Sequence, residues 1–228
     1  LSIRRQRQMC IRDRFDTPYY AGKRYALVEK IKKNGISDEG VLKAISIVPR
    51  HIFIDPLFDE LSYEDIAIVI DSNQTISQPF TVAFQTQLLE VAPESKILEI
   101  GTGSGYQATI LAVMGAKITT IERIRNLYEK AKVLLHNILN LNQIKIIYGD
   151  GYNGYPEEEP YDGIIITAAC PTIPYHLLSQ LKNGGRLIVP VGQPNSSIMY
   201  RIIKISENKY SEEKHGKFSF VPIQRGIE

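Results

Sequence analysis

From residue 96 onward, short apolar runs rich in β-branched residues alternate with longer segments of helical periodicity. Continuous apolar runs of this length are typical of strands that are buried on both faces. Strands of this kind, separated by helices of about ten residues or more, predict βαβ units and a parallel sheet. The predicted parallel strands comprise residues 96–100, 117–121, 144–148, 162–167 and 186–191.

Three segments between these runs predict helices, at residues 106–115, 125–140 and 174–185. Two later runs, residues 199–205 and 217–223, predict strands that close the sheet as an antiparallel edge. The expected fold class is therefore α/β, with a doubly wound, mostly parallel sheet.

The residues before the first strand have helical periodicity. Tyr25, Val28 and Ile31 recur three positions apart, which predicts one apolar face of a helix. We expect an N-terminal helical addition at about residues 20–90, followed by the sheet at about residues 96–228.

The formal net charge of +2 is unevenly distributed. Residues 1–14 hold five arginines and one aspartate, a net charge of +4, so residues 15–228 carry a net charge of −2. A domain of this charge lacks the basic footprint of a nucleic-acid-binding protein. Residues 9–14, MCIRDR, resemble one reading frame of a transposon-end adapter. We interpret residues 1–14 as a non-native or disordered arm outside a single domain at 15–228.

The composition fits a globular protein. An apolar share of 43% in 228 residues is enough for a core, and no run approaches the ~20 apolar residues of a membrane span. The first residues lack the apolar stretch of a secretory signal peptide. Cys10 and Cys170 form neither metal-binding nor redox spacing, so we expect a cytoplasmic location and no metal.

Glycines follow the first predicted strand in the segment LEIGTGSGYQ, as Gly101, Gly103 and Gly105. Glycines let the backbone turn tightly and approach a ligand, and ligands of this fold bind beyond the carboxyl ends of the strands. The G-x-G-x-G spacing differs from the G-x-G-x-x-G of dinucleotide sites. A purely structural loop is the alternative interpretation.

Acidic residues lie at the ends of the first three strands. Glu99 precedes the first glycine by two positions, and Glu122 ends the second strand, where a carboxylate can accept hydrogen bonds from ribose. Asp150 ends the third strand, within reach of an adenine amino group. With the glycine loop, these acids favour S-adenosyl-L-methionine over a dinucleotide, and the absence of a GxxxxGK[ST] motif disfavours a P-loop NTPase.

The sequence carries no acid–base or nucleophile motif around its four scattered histidines, and Cys170 fits a small buried residue better than a reactive thiol. The sulfonium of S-adenosyl-L-methionine already activates its methyl group. A carboxylate acceptor is ionised at neutral pH, given a pKa of ~4, so that only proximity and orientation are required. The missing base therefore favours methylation of a carboxylate.

The uncharged segment NQTISQPF, residues 73–80, directly precedes an apolar-periodic run. Its simplest interpretation is a helix cap, with Ser77 at the N-cap and Pro79 in the first turn. The hydroxyl groups of Thr75 and Ser77 also offer hydrogen-bond donors without a charge, which suits a carboxylate substrate beside a sulfonium. We predict both roles for Ser77.

In order along the chain, QTISQPF, ILEIGTGSGYQ, IERI, GDGYNGYPEEEPYDG and GGRLIVPVG resemble the protein-L-isoaspartate O-methyltransferase family. The glycine loop is shared by many methyltransferases, whereas TISQP and GGRLIVPVG are more specific. The resemblance implies a class I, Rossmann-like methyltransferase that uses S-adenosyl-L-methionine. The implied function is protein repair, in which the free α-carboxylate of L-isoaspartyl residues in damaged proteins and peptides is methylated and then closes to a succinimide.

The resemblance also implies roles for individual residues. Ser77 corresponds to the active-site serine that orients the substrate carboxylate, Ser104 lies near the amino-acid portion of the cofactor, and Asp150 with Gly151 lies near its adenine. The implied cofactor-binding set is Thr75, Ile76, Ser77, Glu99, Gly101, Gly103, Ser104, Gly105, Glu122, Asp150 and Gly151. The implied substrate-binding set is Ser77, Gln78, Pro79, Val189, Pro190, Val191 and Gly192.

Two positions depart from the family pattern. Asp71 adds a negative charge near a site for a carboxylate, and residues 80–83 lack a histidine that some relatives carry there. Three alternatives remain open: a methyltransferase for a small-molecule or nucleic-acid acceptor, a non-catalytic binding protein, and an oxidoreductase. The expected partners are isoaspartyl-containing proteins and peptides, with no nucleic acid and no membrane, and the expected state is a monomer.

Overall fold

A computed structural model describes residues 16–228, except for the side chain of residue 138. The predicted arm at residues 1–14, with Cys10, lies outside the described residues. None of the helices between residues 16 and 228 is both long enough and apolar enough to cross a bilayer.

A seven-stranded sheet forms the centre of the molecule. Its strands, numbered after the two short strands β1 (Ile68–Val69) and β2 (Thr75–Ile76), are β3 (Lys96–Ile100), β4 (Lys117–Glu122), β5 (Ile144–Tyr148), β6 (Tyr161–Ile166), β7 (Leu181–Gln193), β8 (Ser196–Ser206) and β9 (Lys209–Phe218). Their spatial order is β5-β4-β3-β6-β7-β8-β9. The strands from β5 to β7 are parallel neighbours, and β8 and β9 continue the sheet antiparallel. This order confirms the predicted doubly wound α/β fold.

Strand order also creates a crevice. From β3 the chain moves outward to β4 and β5, and then returns to place β6 on the other side of β3. Ligands of open α/β sheets bind beyond the carboxyl ends of the strands at such a reversal. The segments after β3, β4, β5 and β6 therefore meet at one edge.

Alternate side chains of the central strands enter two different hydrophobic layers. Ile165 packs in the larger layer with the helices, whereas Ile164 and Ile166 pack in the smaller layer on the opposite face. This alternation explains why the strands read as continuous apolar runs, since both faces are covered.

The α-helices are α1 (Pro18–Lys33), α2 (Glu39–Ile47), α3 (Pro79–Leu89), α4 (Tyr106–Met114) and α5 (Arg125–Lys132). Helices α1 to α4 pack on the side of the larger hydrophobic layer. A π-helical turn, Val133–Ile138, follows α5 directly. Short 3₁₀ turns span Arg50–Phe53, Pro56–Leu61, Asp71–Asn73, Gly151–Asn153, Pro156–Glu158 and Tyr175–Gln180.

The prediction of a helix at residues 174–185 is wrong. Only Tyr175–Gln180 is helical, as a 3₁₀ turn, and β7 begins at Leu181, which pairs with Tyr161. The apolar residues of the predicted helix therefore belong to a short 3₁₀ turn, whose leucines pack in the smaller hydrophobic layer.

The strand predicted at residues 217–223 is also wrong. β9 starts at Lys209, opposite Ser206, and ends at Phe218. Its residues are mostly polar and exposed because β9 is the edge of the sheet, where one face and one side meet water. Hydrophobic patterning therefore gives only a weak signal for this strand.

The apolar face predicted for the first helix is shifted in the structure. Arg24, Leu27 and Ile31 are the buried residues of α1, whereas Tyr25 is 68% exposed. Arg24 lies on the buried face because it forms an ion pair with Asp16. A search for apolar periodicity does not find a buried charged residue whose charge is paired inside the protein.

Between the helices of the N-terminal addition, two short strands form a small antiparallel sheet. β1 (Ile68–Val69) pairs with β2 (Thr75–Ile76), with Ile68 opposite Ile76. This small sheet holds the segment NQTISQPF above the edge of the central sheet where the crevice lies.

Candidate active site

A cleft that is partly open to solvent lies at the carboxyl ends of the central strands. Its walls include the glycine loop, the segments at the ends of β4, β5 and β6, the TIS segment (Thr75–Ser77) and a C-terminal segment. Predicted site residues in its walls are Thr75, Ile76, Ser77, Gly101, Gly103, Ser104, Glu122, Asp150 and Gly151. The structure thus brings together residues that are far apart in sequence.

Gly101 and Gly103 both have a positive φ, which favours glycine, and at Gly101 a side chain would also meet a neighbouring residue. Gly101 has a φ of 97°, and a Cβ there would lie 2.4 Å from Thr167 Oγ1. Gly103 has a φ of 54°, but a Cβ there would meet almost open space. Gly105 lines no part of the cleft and instead caps α4. Gly101 therefore lets β3 and the end of β6 approach closely.

Glu122 ties the glycine loop to the end of β4. One carboxylate oxygen accepts a hydrogen bond from the Gly103 amide at 2.8 Å, and the other accepts from the Ile124 amide at 2.9 Å. Each carboxylate oxygen has a second lone pair. Glu122 can thus hold the loop in place and still accept a hydrogen bond from a ligand in the cleft.

Glu99, which is predicted as a cofactor contact, lies beneath the glycine loop and is not among the residues of the cleft wall. Thr120 Oγ1 donates to one oxygen of Glu99 at 2.6 Å, and the other oxygen has no hydrogen-bond partner in the described structure. Burial raises the pKa of Glu99 to about 8 because the charged form is desolvated. Thr102 bonds the same threonine at 2.7 Å, so Glu99 supports the loop from below.

Asp150 connects two chain segments at the rim of the cleft. Its Oδ1 accepts a hydrogen bond from the Tyr152 amide at 2.9 Å, and its Oδ2 accepts from the Gly226 amide at 2.7 Å. Next to it, a Cβ at Gly151 would lie 2.8 Å from Ile100 Cγ2, so only glycine fits there without a shift. The turn after β5 is therefore pressed against β3.

The start of α3, directly after the TIS segment, is capped differently from the prediction. Gln78 occupies the N-cap of α3, with Pro79 in the first turn, so the predicted N-cap role of Ser77 is wrong. The amide of Phe80 is instead bonded by Asp65 Oδ1 at 2.8 Å. Ser77 is left in the wall of the cleft, where its role is not that of a cap.

The predicted substrate residues after Ser77 lie outside this cleft. Val189 is buried in the smaller hydrophobic layer, and the Pro190 carbonyl accepts from the Cys170 amide at 2.9 Å. The sequence GGRLIVPVG is mostly a buried strand that pairs on both sides. Among the implied substrate set, Gln78, Pro79, Val189, Pro190, Val191 and Gly192 do not line the cleft.

A C-terminal segment, residues 221–224, forms a cleft wall that sequence patterns did not identify. The Ile223 amide donates to the Ala169 carbonyl at 2.9 Å, which holds this segment beside the end of β6. Arg225 places its guanidinium 3.8 Å from the centre of the Tyr152 ring. Other wall residues absent from the prediction include Gln74, Thr102, Tyr106, Gln107 and Thr167.

The comparisons with known proteins agree with this geometry. A sequence model of the protein-L-isoaspartate(D-aspartate) O-methyltransferase family matches residues 22–228. The chain belongs to this family. A protein-L-isoaspartate O-methyltransferase of Christiangramia forsetii is 49% identical over 208 residues, which are 91% of this chain and 97% of that protein. One of Flavobacterium psychrophilum is 46% identical over the same shares.

Solved structures of the family share the fold. One protein-L-isoaspartate O-methyltransferase superposes with a TM-score of 0.77 at 31% identity, covering 87% of this chain and 65% of that one. A Plasmodium falciparum structure described as this enzyme in complex with S-adenosyl-L-homocysteine has a TM-score of 0.76 at 26% identity, covering 88% and 98%. The predicted family, enzyme class and cofactor are therefore confirmed, and the oxidoreductase alternative is set aside.

The cleft of this family member fits S-adenosyl-L-methionine. Backbone at Gly101 and Gly103 is exposed to the cleft in conformations that favour glycine, and Glu122 faces it from the end of β4. The cleft wall combines apolar side chains, such as Ile100 and Ile121, with a few polar groups, as is usual for a cofactor site.

Two further predictions concern charge and thiol chemistry. Asp71 Oδ2 accepts from Lys130 Nζ at 2.7 Å, so the charge that departs from the family pattern is paired and lies outside the cleft wall. Cys170 is buried, and burial raises the pKa of its thiol to about 12, which suits a filler. Among residues 16–228, no cluster of His, Cys, Asp and Glu is arranged to hold a metal.

Proposed function

We propose that this chain methylates the free α-carboxylate of L-isoaspartyl residues in damaged proteins and peptides, and that Ser77 orients that carboxylate. The observation that supports the proposal is that Ser77 and the glycine loop are walls of the same cleft. Methyl transfer to the carboxylate oxygen would leave S-adenosyl-L-homocysteine and give a methyl ester, whose methoxy group leaves more readily than the oxygen of a carboxylate. The following backbone amide nitrogen of the substrate would then attack the ester carbonyl and release methanol, which closes a succinimide.

S-adenosyl-L-methionine supplies, when bound, a methyl group on a sulfonium. The chain has to place the substrate oxygen in line with that methyl group, which is orientation work. Thr75 and Ser77 offer hydroxyl donors that can bind a carboxylate without adding a charge. The acidic groups in the wall, Glu122 and Asp150, already accept backbone hydrogen bonds, so neither is assigned the role of a base.

On the cofactor side, we assign Glu122 to the ribose hydroxyls, and Asp150 with Gly151 to the adenine. Ser104 and the backbone of the glycine loop are assigned to the amino-acid portion. The shared cleft wall supports these assignments. The substrate groove is assigned to Ser77 together with the surface that adjoins it; Val189 and Pro190 are excluded as direct contacts because both are buried.

A paired peptide assay tests the proposed function. The chain is incubated with labelled S-adenosyl-L-methionine and either an isoaspartyl peptide or the matching aspartyl peptide. Label is expected in the isoaspartyl peptide and not in its partner. Equal labelling of both peptides, or of neither, would overturn the proposal, and labelling of a small molecule or nucleic acid instead would favour the alternative acceptor.

Two variants separate the assigned roles. Ser77→Ala should lower kcat, by roughly 10-fold or more if the lost hydrogen bond reaches a charged group, while the Kd for S-adenosyl-L-homocysteine stays within about 3-fold. Glu122→Ala should mainly raise that Kd. Ser206→Ala, at the exposed end of β8, is the matched control and should change neither. Unchanged kcat and KM in Ser77→Ala would leave Ser77 without the assigned role.

The proposal also includes a cytoplasmic monomer that acts on isoaspartyl proteins, with no nucleic-acid or membrane partner. The net charge of −2 for residues 15–228 and the absence of metal or redox cysteine spacing support it. Light scattering on the purified chain measures the mass directly, and a dimer mass would overturn the monomer.

A further inference from the structure

The connection from β2 to α3, residues 77–80, is held at both ends by charged side chains from the N-terminal addition. Arg50 Nη2 donates to the Ser77 carbonyl at 3.0 Å. At the other end, Asp65 Oδ1 accepts from the Phe80 amide at 2.8 Å. Neither side chain is a neighbour of this connection in sequence. The position of Ser77 is therefore set from outside its own segment.

Stability alone does not explain why a charged residue occupies position 50. Arg50 is 0% exposed and donates a long second hydrogen bond to the Ile66 carbonyl, at 3.4 Å. Its Nε and Nη1 atoms have no hydrogen-bond partner among the described residues. Burial lowers the pKa of Arg50 to about 10, although the nearby Tyr106 and Asp65 favour its charged form. A buried charge that is only partly satisfied is costly, and an apolar side chain of similar volume is often neutral or better for stability.

Arg50 also contacts the cofactor side of the cleft. Its guanidinium lies 4.9 Å from the centre of the Tyr106 ring. Tyr106 is the first residue of α4, directly after the glycine loop, and it lines the cleft. One buried side chain thus touches both the segment that carries Ser77 and the helix that follows the glycine loop. Its placement fixes the spacing between the two.

We propose that Arg50 and Asp65 act as a clamp that sets the position of Ser77 relative to the glycine loop. They are positioning residues, because they act through the backbone of residues 77–80 and neither lines the cleft. The inference rests on the proposed role of Ser77. A misplacement of about 1 Å at a reacting group can cost about 100-fold in rate, so a clamp of this kind affects turnover directly.

Arg24 provides a matched control for the clamp. It is also buried, at 1% exposure, in the same N-terminal addition, but it pairs with Asp16 and bonds the Ser46 carbonyl at 2.8 Å, away from residues 77–80. Replacing Arg24 removes a buried charge without releasing Ser77. A loss of rate that is specific to Arg50 is therefore separable from general destabilisation.

The test measures kcat and KM for an isoaspartyl peptide, Kd for S-adenosyl-L-homocysteine by calorimetry, and the melting temperature. Arg50→Met should lower kcat by roughly 10- to 100-fold, with the Kd within about 3-fold. Arg50→Lys, which keeps the positive charge and a hydrogen-bond donor group, should recover part of that rate. Asp65→Ala should lower kcat in the same direction, and Asp65→Asn, which keeps an acceptor, should restore it. Arg24→Met should lower the melting temperature but keep kcat within about 2-fold.

Two results would overturn the clamp. The first is a folded Arg50→Met variant with unchanged kcat while Ser77→Ala lowers it, which leaves the proposed function intact. The second is an equal loss of kcat in Arg24→Met, which would assign the effect to general destabilisation. If Arg50→Met does not fold, Asp65→Ala decides, and unchanged kcat there also overturns the clamp. Failure of the wild-type chain in the paired peptide assay would count against the proposed function instead.

Discussion

Glu99 is a carboxyl group that lies in the middle of the sheet, away from solvent. One of its oxygens accepts a hydrogen bond from Thr120, while the other has no partner among the described residues. Desolvation raises its pKa to about 8, with the nearby charge of Glu122 acting in the same direction. At neutral pH the group is therefore mostly protonated and supports the glycine loop as a neutral acid.

Glu99 should make stability depend on pH. The folded chain keeps this proton up to about pH 8, whereas the unfolded chain releases it near the ordinary value of 4.5. Between those values the folded state binds more protons, so the free energy of unfolding should fall as pH rises, by at most about 1.4 kcal/mol per pH unit. Glu99→Gln should remove this part of the slope in urea unfolding at about pH 5 and pH 7.5.

Glu94→Gln is the control for this measurement, because the Glu94 side chain is 75% exposed. It should keep the slope of the wild-type chain. An identical slope in the Glu99→Gln variant would show that Glu99 is ionised in the folded state, contrary to the expectation.

At the scale of elements, a long-range hydrogen bond joins the turn after β5 to the chain that follows the C-terminal segment. Asp150 accepts one backbone hydrogen bond from each, from the Tyr152 and Gly226 amides. The same carboxylate is assigned to the adenine. A single side chain thus holds the turn after β5 beside the chain next to the C-terminal wall, and it lines the cleft itself.

Removing that side chain should loosen both walls. In Asp150→Ala two backbone amides lose their acceptor, and we expect the Kd for S-adenosyl-L-homocysteine to rise by roughly 10-fold, which corresponds to about 1.4 kcal/mol. Asp55→Ala is a matched control, since Asp55 Oδ1 bonds the Leu57 amide at 2.9 Å in a similar local turn outside the cleft. It should leave the Kd unchanged in calorimetry. An equal Kd in both variants would contradict the joining role.

At the scale of the whole molecule, the cleft is assembled from both halves of the chain: the N-terminal addition supplies residues 74–77 and Val82, and residues from Ile100 onward supply the rest. A ligand in such a cleft contacts segments from almost the full length of the domain. Binding should therefore stabilise the folded state as a unit rather than one local element.

Thermal unfolding should show this coupling. At a concentration of S-adenosyl-L-homocysteine about 100 times its Kd, the free energy of unfolding should rise by about 2.7 kcal/mol. For a domain of 228 residues, this corresponds to a shift in the melting temperature of roughly 5–10 °C. NAD at the same concentration should give no shift. A shift with NAD and none with S-adenosyl-L-homocysteine would contradict the cofactor assignment.

The sequence by itself determined the parts of this protein that depend on local patterns. Buried parallel strands need apolar residues on both faces, so the strands near residues 96–100 and 117–121 are visible as short apolar runs. The glycine loop is visible because a backbone with positive φ at Gly101 favours glycine whatever surrounds it. These requirements, like the family motifs, involve only a few consecutive residues, so the sequence alone is enough to recognise them.

Only the tertiary structure decided the features that join distant residues. Asp65, not Ser77, caps α3, because a cap needs only an oxygen at the right place in space. β9 is an exposed edge strand whose position follows from pairing with β8, so its polar residues carry little pattern. Arg50 and the C-terminal segment reach the cleft through hydrogen bonds across many residues. Such contacts depend on how the sheet and the N-terminal addition pack against each other. A local sequence pattern does not contain this information.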